Sequence, residues 1–238
     1  WDYWDERFRR SILVDSKADL LVWGMGERQI IELARRIGAG EPLGGLAGTC
    51  EIVRAEDVPE GARVVPSFEA LAEDDSLLVD LFDAVREENS PSSKILAQAH
   101  GDRWVLQHPP APPAPQDEVD RWFDLPFQRE WHPDHTARGG IAALEPVRWS
   151  VNTHRGCMAD CSFCSITFHQ GRSIQSRSEE SIMREVTALA EHHDFRGTIT
   201  DVGGPTANMY RMRCSQPETE ARCRRLSCVS PKVCKLLD

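Results

Sequence analysis

Cys157, Cys161 and Cys164 stand within the run His154-Arg155-Gly156-Cys157-Met158-Ala159-Asp160-Cys161-Ser162-Phe163-Cys164, and this CxxxCxxC constrains the chain more than any other stretch. Three thiols within eight residues can turn inward from one loop, and soft thiolates are the donors that iron–sulfur clusters select. A four-iron cluster needs four ligands, so three cysteines leave one iron open to a small molecule. Three other readings of the thiols stay open on residue types alone. Zinc usually shows paired CxxC knuckles with a fourth donor, and His154 is available as one. Disulfides would require an oxidising compartment, and unligated thiols require nothing.

Thiol placement narrows the choice. Seven of the eight cysteines lie at or after Cys157, a concentration that points to metal before disulfide. Charge is equally uneven. The chain carries −10 overall, with −13 in residues 1–145 and +3 in residues 146–238. An acidic first part argues against a general nucleic-acid surface there. No charged-then-apolar leader and no apolar run near the roughly 20 residues of a membrane span is present, so a cytoplasmic protein without membrane contact is expected. The 238 residues suffice for one large or two small domains, and a chain opening on Trp1 reads as part of a longer one.

Taken in order, Trp1–Arg10 is aromatic and charged and is expected to cap the unit that follows. Ala18–Gly24 is a short apolar run closed by glycine, read as a buried strand. Gly24-Met25-Gly26-Glu27 makes a turn, and Ile30, Leu33, Ala34 and Ile37 recur at helical spacing up to Gly38 and Gly40. Such a turn is structural more often than ligand-binding, because the full GxGxxG is absent. Cys50, alone in sequence, reads as a small buried residue. A second helix is expected from Ser76 to about Glu88, with Leu78, Leu81, Phe82 and Val85 on one face. Lys94–Ala99 and Arg103–Gln107 flank His100-Gly101-Asp102 as a hairpin, with Trp104 and Leu106 on its buried face. His100, His108 and His132 lack ligand spacing and are expected at the surface.

Five prolines between His108 and Gln116 form a stiff spacer that cannot enter a sheet. Residues 124–140 read as an irregular connector that docks through its aromatics. Trp149–Thr153 then leads as a strand into the cysteine loop. Ser178 is a good N-cap, with Glu179 and Glu180 in the first turn and Ile182, Val186 and Leu189 as the buried stripe of a helix. Gly197–Val202 is a second strand, ending at Gly203-Gly204-Pro205-Thr206-Ala207-Asn208. Strand, cysteine loop, helix and strand make a βαβ unit with its chemistry at the carboxyl ends of the strands. Cys214, Cys223, Cys228 and Cys234 follow among Arg222, Arg224, Arg225, Lys232 and Lys235. Their spacing matches no standard zinc pattern, and an auxiliary iron–sulfur cluster, zinc and free thiols all stay open.

The cysteine loop, with Phe163 just before its third cysteine, resembles the signature of the radical S-adenosylmethionine (SAM) enzymes. Trp4-Asp5, Arg9–Leu13, Ala18–Val22, Ser150-Val151-Asn152, the glycine turn through Tyr210 and the trailing cysteines together resemble the YgiQ family of that superfamily, nearly end to end. The resemblance implies an α/β chain in three parts. Residues 1–108 would be an incomplete cobalamin-binding-like α/β domain, 109–145 a Pro-rich linker and connector, and 146–238 the first βα units of a partial (βα)6 barrel with a Cys-rich tail. It implies a [4Fe–4S] cluster on Cys157, Cys161 and Cys164, with SAM bound through its amino and carboxylate groups at the open iron. One electron from the cluster would cleave SAM to methionine and a 5′-deoxyadenosyl radical, supplied by a donor such as flavodoxin or ferredoxin. Phe163 would pack against the SAM adenine or the cluster, and Gly203 and Gly204 would approach its methionine part. Pro205 stands where that family has an acidic residue, and no DxHxxG for a cobalt-ligating histidine is present, so cobalamin binding is not carried over. The resemblance supplies chemistry without a substrate. Only 74 residues follow Cys164, so this chain alone is expected to hold its cluster without turning over. The alternative is a non-catalytic module in which the cysteines bind zinc or electron-transfer clusters and the acidic part recruits a partner; an RNA reader lacks a stacking platform.

Overall fold

The computed structural model describes residues 1–205, 208–220 and 222–238; Thr206 and Ala207 of the expected glycine turn lie outside them. The chain is mixed α/β. Its main sheet has five strands, β1 (Leu20–Val22), β2 (Thr49–Val53), β3 (Arg63–Val64), β4 (Leu96–His100) and β5 (Arg103–Gln107), in the order β1-β2-β5-β4-β3. β4 and β5 form the expected hairpin, closed by a two-residue turn in which Gly101 takes φ +65°, a conformation that suits such turns. Val105 and Leu106 are both buried while Trp104 is only half-buried, because helices cover the sheet on both sides. One core joins Leu13 of α1 (Ile12–Ser16) to Cys50 and Val105, and a second joins Ala84 of α4 (Leu78–Glu87) to Val65 and Leu96.

Pairing direction departs from a cobalamin-binding-like unit, whose strands would run parallel. β1, β2, β5 and β4 pair antiparallel, and only β3–β4 is parallel, through the crossover of α3 (Phe68–Glu73) and α4. The cause is the loop after α2 (Glu27–Ala39). That helix rises about 20 Å at 1.5 Å per residue, and an extended eight-residue loop from Glu41 to Gly48 reaches back over it. The Trp23 N–H then donates to the Gly48 carbonyl at 3.0 Å, so β2 begins where β1 ends. The helical stripe of α2 is also only partly covered. Leu33 is buried, but Ile30 and Ile37 are largely exposed, because the three-residue edge strand β1 is too short to roof them.

Three further expectations change. His100 and His108 are buried: the first stacks on Phe68 with its Nε2 3.1 Å from Gln98 Oε1, and the second lies 2.6 Å from Glu51 Oε1. Tyr3 and Trp4 stack on each other in solvent and cap nothing. The connector docks through α5 (Gln116–Phe123) and Arg129, with Phe127 exposed.

Residues 146–238 make short sheets only. β6 (Ser150–Asn152) pairs in parallel with β9 (Asp201–Gly203), and β7 (His154–Arg155) pairs antiparallel with β8 (Gln175–Ser176). Between them lie α6 (Ile166–Gln170) and α7 (Glu179–Ala190); α8 (Pro217–Glu220) follows β9. Ser178 caps α7, its Oγ accepting from the Ser181 N–H at 3.1 Å, with Glu179 and Glu180 in the first turn. Under α7 lies Arg177, fully buried. Its guanidinium donates to the Asn152 and Ser181 carbonyls at 2.8 and 2.9 Å, pairs with Glu185 and lies 4.3 Å over the Phe123 ring.

Candidate metal and cofactor site

The parallel pair β6–β9 sets the site. Asn152 is in register with Gly203, and the Thr153 N–H donates to the Gly203 carbonyl at 2.7 Å, so the glycine turn and the start of the cysteine run leave the same ends of two adjacent strands. One residue on, Gly204 lies flat against the imidazole of buried His154. A Cβ at Gly204 would sit 2.2 Å from His154 Nε2 and Cε1, so only glycine fits. Thr153 Oγ1 lies 3.0 Å from His154 Nδ1, and Nε2 has no hydrogen-bond partner among the described residues. Burial lowers the affinity of this imidazole for a second proton, which favours its neutral form.

The loop itself is braced at both ends. Gly156 takes φ +92°, and a Cβ there would meet the Ser173 carbonyl oxygen at 2.2 Å, so β7 can turn into the loop only through glycine. The Cys157 N–H donates to the Gly171 carbonyl at 3.1 Å, and the Cys164 N–H to the Cys161 carbonyl at 3.0 Å. Asp160, between the first two cysteines, is ion-paired with Arg86 of α4. Arg155 pairs with Glu27 and lies over the rings of Trp122 and Phe123 at 5.6 and 5.2 Å. Asn89 donates to the Thr167 carbonyl at 2.9 Å. The Gly24–Glu27 turn is thus a docking element that grips the cysteine loop through Glu27.

Cys157 is buried, Cys164 half-buried and Cys161 exposed, and all are free thiols. Phe163 is 91% exposed and touches no partner of its own chain that would hide it. Beneath the loop, Cys157, Met158 and Met209 form a small core, with Met212, Cys228 and Leu237 packed against it. The tail therefore folds back onto the loop, a placement that spacing could not reveal. The Cys228 N–H and the Ser227 hydroxyl donate to the Met158 carbonyl at 2.9 and 3.2 Å.

Donor spacing separates a single ion from a cluster. Four thiolates around one zinc at about 2.3 Å stand roughly 3.8 Å apart. Among the described residues, only His192, His193 and Asp194 bring three metal-type donor atoms within 4.8 Å of one another. No three donors drawn from the seven clustered cysteines and His154 do so. Thiolates that each bind a different iron need no such convergence, so the donor chemistry fits a cluster better than zinc. The His192 group is engaged otherwise: Asp194 accepts from Arg148 at 2.9 Å, and His192 packs edge-on against Trp149. Among the described residues, no helix is long and apolar enough to cross a membrane.

Residues 1–150 match the family described as radical SAM N-terminal. Over its whole length the chain is similar to a UPF0313 protein of Geobacter sulfurreducens, at 48% identity over 242 residues covering 40% of that relative. It is similar to a UPF0313 protein of Clostridium botulinum at 42% identity and to one of Clostridium perfringens at 41%, covering all of this chain and 38% and 37% of those relatives. The chain thus spans about two fifths of the curated relatives it matches.

Proposed function

The chain belongs to the radical SAM N-terminal family, within the radical SAM superfamily, and on that premise we propose that it is part of an enzyme in which Cys157, Cys161 and Cys164 hold a [4Fe–4S] cluster and the Gly203–Gly204 turn receives SAM. The observation that carries this reading is the junction of β6 and β9. The cysteine run and the glycine turn leave the same ends of two parallel strands, where α/β barrels keep their chemistry, and are joined by the bond from Thr153 to Gly203. When bound, such a cluster supplies the single electron for reductive cleavage of SAM to methionine and a 5′-deoxyadenosyl radical.

The chain's own residues bind and orient. His154, kept neutral by burial and held at Nδ1 by Thr153, forms the floor on which Gly204 rests, so the turn presents backbone atoms to the methionine part of SAM. Pro205 adds no carboxylate, and recognition of the SAM amino group falls to backbone carbonyls. Phe163 offers an uncovered aromatic face for the adenine. Arg86 and Arg155 hold the loop from either side, so the three thiols start from a fixed frame. β6, α7 and β9 are read as the first unit of a barrel whose remainder, with the substrate side, belongs to the longer relatives.

The test is anaerobic reconstitution with iron and sulfide, followed by electron paramagnetic resonance of the reduced protein with and without SAM. A cluster signal that changes on adding SAM, and whose SAM-sensitive part is missing from the Cys157→Ala/Cys161→Ala/Cys164→Ala variant, supports the reading. A signal indifferent to SAM, or zinc in place of iron, favours the non-catalytic metal module.

A further inference from the structure

Four cysteines take no part in the site just described, yet the fold gathers them. Cys214 pairs with Leu237 as an antiparallel bridge, the Leu237 N–H donates to the Cys234 carbonyl at 3.1 Å, and the Cys234 N–H donates to the Cys228 carbonyl at 2.7 Å. Cys223 joins from the far side. Its N–H donates to the Glu220 carbonyl at 3.0 Å, and the Glu220 carboxylate accepts from Ser173 at 2.8 Å, beside the cysteine loop. All four thiols are free and half-buried.

Backbone bonds bring Cys214, Cys228 and Cys234 together, and Arg225, two residues after Cys223, donates to the Ser227 and Lys232 carbonyls at 3.1 and 2.8 Å, beside Cys228 and Cys234. Arg172 spans the region, donating to the Arg86 and Arg225 carbonyls at 2.8 and 3.1 Å. No three of the sulfurs fall within 4.8 Å, too wide for one tetrahedral zinc ion with bonds of about 2.3 Å.

We infer that Cys214, Cys223, Cys228 and Cys234 form a second iron–sulfur site, closed by four thiolates and seated against the back of the Cys157–Cys164 loop. Four protein donors leave no iron open, so this site does not bind SAM. Its effect on the first site is positional. The Cys228 N–H and the Ser227 hydroxyl both hold the Met158 carbonyl, next to Cys157, so filling the tail site fixes the residue that follows the first ligand of the loop.

The experiment counts iron, acid-labile sulfide and zinc per chain in the reconstituted 238-residue protein and two variants. Two four-iron clusters give about eight irons per chain. Cys157→Ala/Cys161→Ala/Cys164→Ala is expected to keep about half of that iron, with a resonance signal that SAM does not move. Cys214→Ala/Cys223→Ala/Cys228→Ala/Cys234→Ala is expected to lose the other half. Hydrogen exchange of α7 (Glu179–Ala190) shows in each variant that the cysteine-bearing part is folded. Iron unchanged in the tail variant overturns the inference, as does one zinc per chain held by the tail in the loop variant. Because each variant keeps one cysteine set intact, failure of the tail site and failure of the SAM-binding site read out separately.

Discussion

Residues 1–107 and residues 146–238 are of similar length but held together by different means. The first part is a five-stranded sheet whose backbone ladders run unbroken from β1 to β3, with two apolar clusters along one face and Thr49, Ala97 and Leu106 buried on the other. Among the described residues the second part has two sheets of two strands each, and its buried cluster is Cys157, Met158 and Met209, with Val151 and Leu189 buried apart from it. Three-residue strands without neighbours contribute few ladder bonds, and two-stranded units are marginal in water. What replaces them is polar and specific: buried Arg177 with Glu185, the braces on the cysteine loop, and free thiols. On the proposed reading such a region gains folding free energy from the metal it binds, whereas the five-stranded sheet does not need to.

That contrast can be broken at several points. The largest effect is expected from removing iron. Anaerobic chelation of the reconstituted protein should abolish hydrogen-exchange protection over residues 150–238 and leave β2, β4 and β5 protected. Equal loss in both regions would mean that the sheet leans on the metal part. Next comes Arg177→Met, which leaves Glu185 to Arg129 alone and strips the Asn152 carbonyl of its guanidinium donor. A cost of about 3 kcal/mol, read by urea unfolding, is expected; a loss below about 1 kcal/mol would show that Arg129 satisfies Glu185 unaided. Gly156→Ala places a methyl group against the Ser173 carbonyl at positive φ and should cost about 2 kcal/mol. Its iron content should fall while the far-ultraviolet circular dichroism of the sheet persists.

The smallest effect belongs to the sheet. Burial holds the His100 imidazole below its ordinary range, so the folded state resists a proton that the unfolded chain takes up. Stability from this group is full above the unfolded value of about 6.5 and declines as pH falls through the folded one. Urea midpoints of wild type should drop from pH 7.5 to pH 5.5 more steeply than those of His100→Gln. Identical slopes would remove His100 from the account.

Local features were legible from sequence because their causes are local. Gly101 and Asp102 announced the β4–β5 hairpin, Ser178 with two glutamates announced α7, and the cysteine spacing announced the loop. Direction of pairing was not legible, since periodicity reports which face a residue takes and not which way the next strand runs. β2 is antiparallel to β1 because of where an eight-residue loop ends, and no residue of that loop says so. α5 was missed although Pro115 followed by Asp117, Glu118 and Arg121 is an adequate helix start. His100 and His108 were misassigned to the surface because what covers them is distant in sequence: the Phe68 ring of α3 stacks on His100, and Glu51 reaches His108 from β2. The tail cysteines could be counted but not located, and their seat on Met158 depends on a contact between residues far apart in sequence.

That contact also has a place in time. Met158 and Cys228 are 70 residues apart, and a ribosome adding roughly 5–20 residues per second takes on the order of 4 to 14 seconds to pass from one to the other. During that interval the first three thiols have been made while the chain that will cover their back has not. On the proposed reading, iron would reach the loop with least obstruction then, and the order of synthesis would favour loading the loop before the tail closes over it.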